Sequence, residues 1–260
     1  MKTAFGDHVR VALDGHVAVA TIDRPPHNFV SVELMRDLAD ALEAVDGEAQ
    51  ARAVVLQTEG KTFSGGADFA SPDDKVASGM DGVQALYRQA VRLFSIETPI
   101  VAAVQGSAVG AGLGLALVAD FRVAGPDARF AANFVKLAFH PGFGLTHTLP
   151  RLVGQQRASL MFLTGRRIKP DEALAWGLVD EVVGADEVRS AALKLAREIA
   201  ENAPLAVIAT RKTLRADLAA AVKAQTAIEH REQGLLRVTE DFQEGVRAVA
   251  ARRPGNFVGR

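Results

Sequence analysis

The sequence predicts an α/β fold whose C-terminal portion is helical. Two observations carry this: short, continuously apolar strands that alternate with helical periodicity, and a unit of helix, buried strand and glycine-rich loop that occurs twice. A third is a change of texture after residue 185. From Asp186 onward the pattern is almost entirely helical. We therefore expect an α/β core over residues 1–185 and a helical region over 186–260, packed on that core or on a neighbouring subunit.

The elements follow in order. "VRVALDGHVAVATID" reads as a hairpin, its alternating Val and Ala flanking Asp14-Gly15, a pair that tolerates the positive φ of a type I′ turn. "VELMRDLADALEAV" puts Met35, Leu38, Leu42 and Val45 on one helical face, with Ser31 as N-cap. "ARAVVLQTEG" is a compact strand around Val54 to Leu56, and it runs into the loop "FSGGADF". Val83, Leu86, Ala90 and Leu93 then recur at helical spacing until Pro99 ends the pattern. The strand "IVAAVQG" feeds a second loop, "GSAVGAGLG", with a helix expected from Ala111 to Ala119. "ARFAANF" begins like a strand, "HPGFG" is a turn, and "KPDEALAWGLVDEVV" is a short helix and strand.

Composition narrows the function. The 260 residues are 48% hydrophobic, enough for one substantial core, and they contain no cysteine, which excludes disulfides, thiolate nucleophiles and Cys-ligated metals. Thirty basic side chains against 31 acidic ones give a net charge of −1, so nothing global attracts nucleic acid. The cluster Arg166, Arg167 and Lys169 reads as a solvated face. The start lacks an apolar signal core and no stretch reaches the roughly 18 uninterrupted apolar residues of a membrane span, so a cytoplasmic address is expected.

The two glycine loops are where chemistry is expected. A strand end that turns into a helix exposes backbone N–H groups able to stabilise an oxygen that becomes anionic during reaction. Glycines such as Gly66 and Gly110 allow the tight turn and the close approach of a ligand. The candidate donors are the amides of Ala67 and Ala111, with Asp68 placed to cap the segment that follows it. Neither a dinucleotide fingerprint nor a P-loop spacing is present, and Ser107 does not sit in GxSxG.

"RPPHN", "FSGGADF", "PIVAAVQGSAVGAGLGLALVADFRVA", "ARFAANFVKLAFHPGFGLTHTLPRLVG" and the terminal "FQEGVRAVAARRPGNF" together resemble the enoyl-CoA hydratase/isomerase family, the crotonase superfamily, through almost the whole chain. The resemblance implies a crotonase-like spiral of ββα units with helical C-terminal packing, assembled as a homo-trimer or hexamer. It implies an acyl-CoA thioester as substrate, with coenzyme A as part of that substrate and no metal or permanently bound cofactor. The Ala67 and Ala111 amides match the pair that polarises the thioester carbonyl. His27 and Asn28 lie where the family's chain passes near the coenzyme.

The family's hydratases carry two glutamates that handle water and proton, and at the matching positions this chain has Gly114 and Phe134. An aspartate that some relatives carry in the Pro-Gly loop is replaced by Gly142 and Phe143. Neither glycine nor phenylalanine transfers protons, so Phe134 and Phe143 are expected to make a dry, apolar cavity, and His140 is the nearby titratable candidate. Hydration with substituted groups, isomerisation and decarboxylation remain open, as does a non-catalytic acyl-CoA-binding or assembly role.

Overall fold

The computed structural model describes residues 2–69 and 75–260. The elements run β1 (Ala4–Phe5), β2 (Val9–Asp14), β3 (Val17–Ile22), α1 (Val32–Asp46), β4 (Ala53–Thr58), α2 (Lys75–Ser78), α3 (Met80–Ser95), β5 (Ile100–Val104), β6 (Ser107–Val109), α4 (Ala111–Ala116), β7 (Phe121–Ala124) and β8 (Arg129–Ala131). After a 3-10 turn at Asn133–Leu137 come α5 (Leu145–Val153), α6 (Gln155–Thr164), α7 (Pro170–Ala175), β9 (Glu181–Val182), α8 (Val188–Ala200), α9 (Pro204–Leu214), α10 (Leu218–Arg237) and α11 (Glu240–Ala250). Beyond Val182 every helix or strand is a helix.

The large sheet has the order β1-β2-β3-β4-β5-β7-β9, antiparallel through β3 and parallel beyond it. A second, parallel pair joins β6 to β8, and a bridge from Ser64 to Ala108 adds the loop after β4 to that ladder. The chain therefore alternates between two stacked ladders: β4 then Ser64, β5 then β6, β7 then β8. This is the spiral of ββα units that the resemblance implied.

Sheet alternation explains the two cores. Val54 and Leu56 of β4 face one cluster with α1 and α3, while Ala53 and Val55 face another. That second face is covered by α8 through Val188, Ala192, Ala196 and Ala200, a stripe at i, i+4 spacing whose alanines let the helix sit close. The helical region is thus fastened to the core from its first helix.

Local chemistry sets the element ends. Ser31 Oγ accepts from the Leu34 amide and caps α1. The hairpin turn differs from expectation: Asp14 pairs with Val17, so Gly15 and His16 are its centre, and only Gly15 has positive φ, at 60°. Positive φ at the first central residue alone is the II′ pattern, for which the Asp-Gly signal was shifted by one residue. Helix α4 stops at Ala116 rather than Ala119, within a segment buried on every side that offers no periodic contrast.

One ion cluster ties α9 to β7. Asp120 accepts from Arg211 at 2.8 Å, from Arg215 at 2.8 Å and from the Ile100 amide at 2.8 Å. Burial pushes this carboxyl up, but Arg211, Arg215 and the amide outweigh it and hold the group below its ordinary value. Arg166, Arg167 and Lys169 are exposed.

Candidate active site

The two glycine loops lie against each other. The Ser64 amide donates to Ser107 O and the Val109 amide to Ser64 O, both at 3.0 Å. Their approach is close enough that only glycine fits between them. A Cβ on Gly66, whose φ is +85°, would stand 2.6 Å from Val109 O and 3.5 Å from Ala111 N, and one on Gly112 would stand 2.4 Å from Ser64 O. The backbones of Gly66 and Ala111 are therefore neighbours. Among the described residues neither the Ala67 nor the Ala111 amide donates to a protein acceptor; for Ala111, first in its helix, no intrahelical acceptor exists.

Both alanines line a cavity of about 270 Å³. Of the residues singled out in the sequence, Gly66, Ala67, Asp68, Gly110, Ala111, Phe134 and Phe143 are on its wall, brought together from two loops, a 3-10 turn and the Pro-Gly turn. The segment that Asp68 was expected to cap begins outside the described residues. Most of the remaining wall is apolar, including Phe29, Val83, Leu86 and Val246.

Three of the singled-out residues are elsewhere. Asn28 is 2% exposed, and its side chain is spent on the loop that precedes the cavity: Nδ2 donates to Glu59 O and Thr62 O, while Oδ1 accepts from the Arg24 amide. With φ at 48° and both donors used, Asn28 builds the turn and leaves no donor for a coenzyme. His27 is exposed and off the wall; its ring stands edge-on to the wall residue Phe29, centroids 5.4 Å apart, and its carbonyl accepts from the amide of Gly65, another wall residue, at 2.8 Å. His140 is not on the wall. Its Nδ1 lies 2.8 Å from Pro141 O and its carbonyl accepts from Gln233 Nε2 at 2.8 Å, which makes it part of the turn's scaffolding.

The glycines at 114 and 142 leave space that other side chains fill. A Cβ on Gly114 would stand 2.6 Å from Phe143 Cδ1, so the ring lies directly over the helix that carries the Ala111 amide. A Cβ on Gly142 would stand 1.9 Å from the Tyr87 hydroxyl. Phe143 is fully buried with φ at 63°, an uncommon conformation for a bulky residue, and the turn after it is gripped from α10. Glu229 Oε2 accepts from the Gly144 amide at 2.7 Å and Oε1 from the Thr146 amide at 3.0 Å. Burial pushes the Glu229 carboxyl up to about 7, against the Thr146 hydroxyl and the two amides that favour its charged form.

Tyr87, Gln233, Asn133 and Glu229 were not singled out in the sequence. Tyr87 is the chain's one tyrosine and stands on the apolar stripe of α3, where a buried hydroxyl requires a partner; that requirement was the available signal. Tyr87, Gln233, Asn133 and Asp68 are the polar side chains on the wall among the described residues. No group of His, Asp and Glu suited to a metal occurs among those residues, and no helix there is long and apolar enough to cross a membrane.

Known proteins extend this picture. Residues 13–260 match the family described as "Enoyl-CoA hydratase/isomerase". The chain is 35% identical to a "Probable enoyl-CoA hydratase" of Rhodobacter capsulatus over 97% of this chain and 98% of that one. It is also 35% identical to the "2,3-dehydroadipyl-CoA hydratase" of Escherichia coli over 96% of this chain and 98% of its relative. Among solved structures, an enoyl-CoA hydratase/isomerase from Pseudoalteromonas atlantica superposes with a TM-score of 0.87 at 34% identity, covering 97% of this chain and all of the other. With the spiral of paired ladders, the two abutting glycine loops and these matches along nearly its whole length, the chain belongs to the enoyl-CoA hydratase/isomerase family.

Proposed function

We propose that the protein is an enzyme that acts on an acyl-CoA thioester, polarising its carbonyl with the Ala67 and Ala111 amides and passing through an enolate-like state. The observation that carries this is the meeting of two unpartnered amides on one apolar cavity. Negative charge grows on the thioester oxygen as an enolate forms, and donors already aimed at it favour that state over the ground state. Coenzyme A enters as part of the substrate, and the chemistry asks for no resident cofactor.

The proton-transfer group is the point at which this site parts from a two-glutamate hydratase. Phe143 covers Gly114 and Phe134 is itself wall, so neither matched position offers a carboxylate. Asp68 is the one carboxylate on the wall among the described residues, and we assign it the proton transfer in place of His140. A wall this apolar disfavours a stored water and suits isomerisation or decarboxylation of the acyl group better than hydration.

A panel of CoA esters incubated in deuterated water and followed by mass spectrometry tests the reading. Isomerisation moves the double bond with deuterium uptake, decarboxylation releases carbon dioxide, and hydration adds water. Ala67→Pro removes one donor and should lower turnover by roughly 10²–10³ in a chain that still folds and assembles. Asp68→Asn should suppress deuterium uptake. An assembled Ala67→Pro variant with near-parent activity would overturn the carbonyl assignment, and saturable binding of the esters without turnover of any would make the protein a binder.

A further inference from the structure

The Pro-Gly turn is held in shape by side chains that lie outside it. Gln233 Nε2 donates to His140 O at 2.8 Å, the Phe143 amide donates to the Tyr87 hydroxyl, and the Gly144 and Thr146 amides donate to Glu229 at 2.7 and 3.0 Å. All three holders stand on α3 or α10. Glu229 and Gln233, at i, i+4 spacing on α10 and 0% and 1% exposed, present one face to the turn.

The conformation they hold is one the chain would not keep unaided. Phe143 and Gly144 are successive residues at φ of 63° and 74°, and the left-handed region costs a bulky side chain about 1–2 kcal/mol. Return to negative φ would swing the Phe143 ring away. In place, that ring is on the cavity wall and lies over Gly114, whose Cβ would stand 2.6 Å from Phe143 Cδ1. Gly114 is on α4 three residues after Ala111, on the same side of the helix. The ring thus joins the wall to the helix that begins with the second donor.

Glu229 is off the wall and reaches the site only through what it holds. Its two oxygens serve three donors: Oε2 takes the Gly144 amide, and Oε1 takes both the amide and the hydroxyl of Thr146. A glutamine there would offer one acceptor atom and turn its NH2 toward a donor. We propose that Glu229 is a positioning residue: by fixing the backbone from Phe143 to Thr146 it keeps the Phe143 ring against α4 and so sets how the acyl group lies against the Ala111 amide. The inference rests on the acyl-CoA reading above.

Acetoacetyl-CoA tests it, because its enolate absorbs at longer ultraviolet wavelengths than its keto form, and donors aimed at the thioester oxygen raise the enolate share of the bound ester. Spectra are taken with saturating protein, folded and assembled, at one fixed pH, so a change in stability or affinity alone leaves that share unmoved. The parent should raise the enolate-to-keto ratio above that of the free ester. Glu229→Gln should lower the bound ratio about fivefold to tenfold, part of the roughly 10²–10³ attached to losing a donor outright. Phe143→Leu should lower it as well, and the double variant should fall little further, since both changes act through one ring. Thr146→Val, which takes only the hydroxyl from Oε1, serves if the glutamine variant does not assemble; it should lower the ratio about twofold. The parent's ratio in Glu229→Gln or in Thr146→Val, or losses that add in the double variant, would overturn the proposal while leaving the acyl-CoA reading standing. A parent that does not bind the ester, or binds it without raising its enolate, would overturn both.

Discussion

Gly114 and Phe143 compete for one volume. A side chain at 114 begins 2.6 Å from the Phe143 ring, which is itself fully buried and cannot swing into solvent. Gly114→Glu should therefore cost about 1–3 kcal/mol through overpacking alone, with more for the buried charge. Phe143→Ala in the same chain should recover much of that loss, because the cavity it opens is the one the new side chain needs. Urea unfolding of the two single variants and the double variant reads the coupling; purely additive losses would mean the two positions do not contend for space. The sequence showed which side chains were missing at 114 and 142 but not what replaced them. Phe143 bends back over a helix well before it in the chain, and Tyr87 reaches the turn from another element, so no local pattern records either contact. That His140 lies off the wall was not legible for the related reason that a titratable residue next to a motif says nothing about which way its ring turns.

Helix α10 acts on the site through Glu229, and that link carries a pH dependence. Its folded-state value of about 7 lies above the ordinary 4.5, so the folded chain holds a proton that the unfolded chain releases. The sign follows: the stability from this group is fully present below about 4.5 and is lost as pH rises through about 7, a change of about 3 kcal/mol. Glu229→Gln should flatten this part of the stability profile, measured by urea unfolding at pH steps between 5 and 8. An unchanged slope in the variant would assign the dependence to another group. Elements whose cause is local were legible from the residues: α1 with its Ser31 cap, α3 with its four-residue stripe, and the apolar cores of β4 and β5. The link from α10 was not, because a buried glutamate on a mostly polar helix has the same local signature as an exposed one.

At the scale of the molecule, α8 is covered by the sheet but α9 is not. Leu205 and Leu214 are 80% and 73% exposed, and Leu214 borders a groove of about 550 Å³ with Phe121, Ile199 and Val207. Burying each leucine in an interface would contribute about 1.5–3 kcal/mol. We expect a trimer or hexamer by light scattering, and Leu205→Glu with Leu214→Glu should shift the mass toward the monomer without loss of helical content. A monomeric parent across a wide concentration range would sink that expectation. The change of texture after residue 185 was legible because α8 and α11 are amphipathic and announce an apolar face whether or not the same chain covers it, whereas the exposed leucines of α9 follow no such period.

The grip of Glu229 on Gly144 joins residues 85 positions apart. During synthesis both glycine loops and the Phe143 turn leave the ribosome well before α10 exists. Until that helix arrives, the amides of Gly144 and Thr146 have no carboxylate to hold them, and the Tyr87 hydroxyl has no Gln233 Oε1 to donate to. The Ala67 and Ala111 amides, the proposed carbonyl donors, are thus laid down early while the floor beneath them is fastened last, so a chain cut short before α10 carries those amides but not a closed cavity. Completeness of the polypeptide is, in effect, a condition for its chemistry.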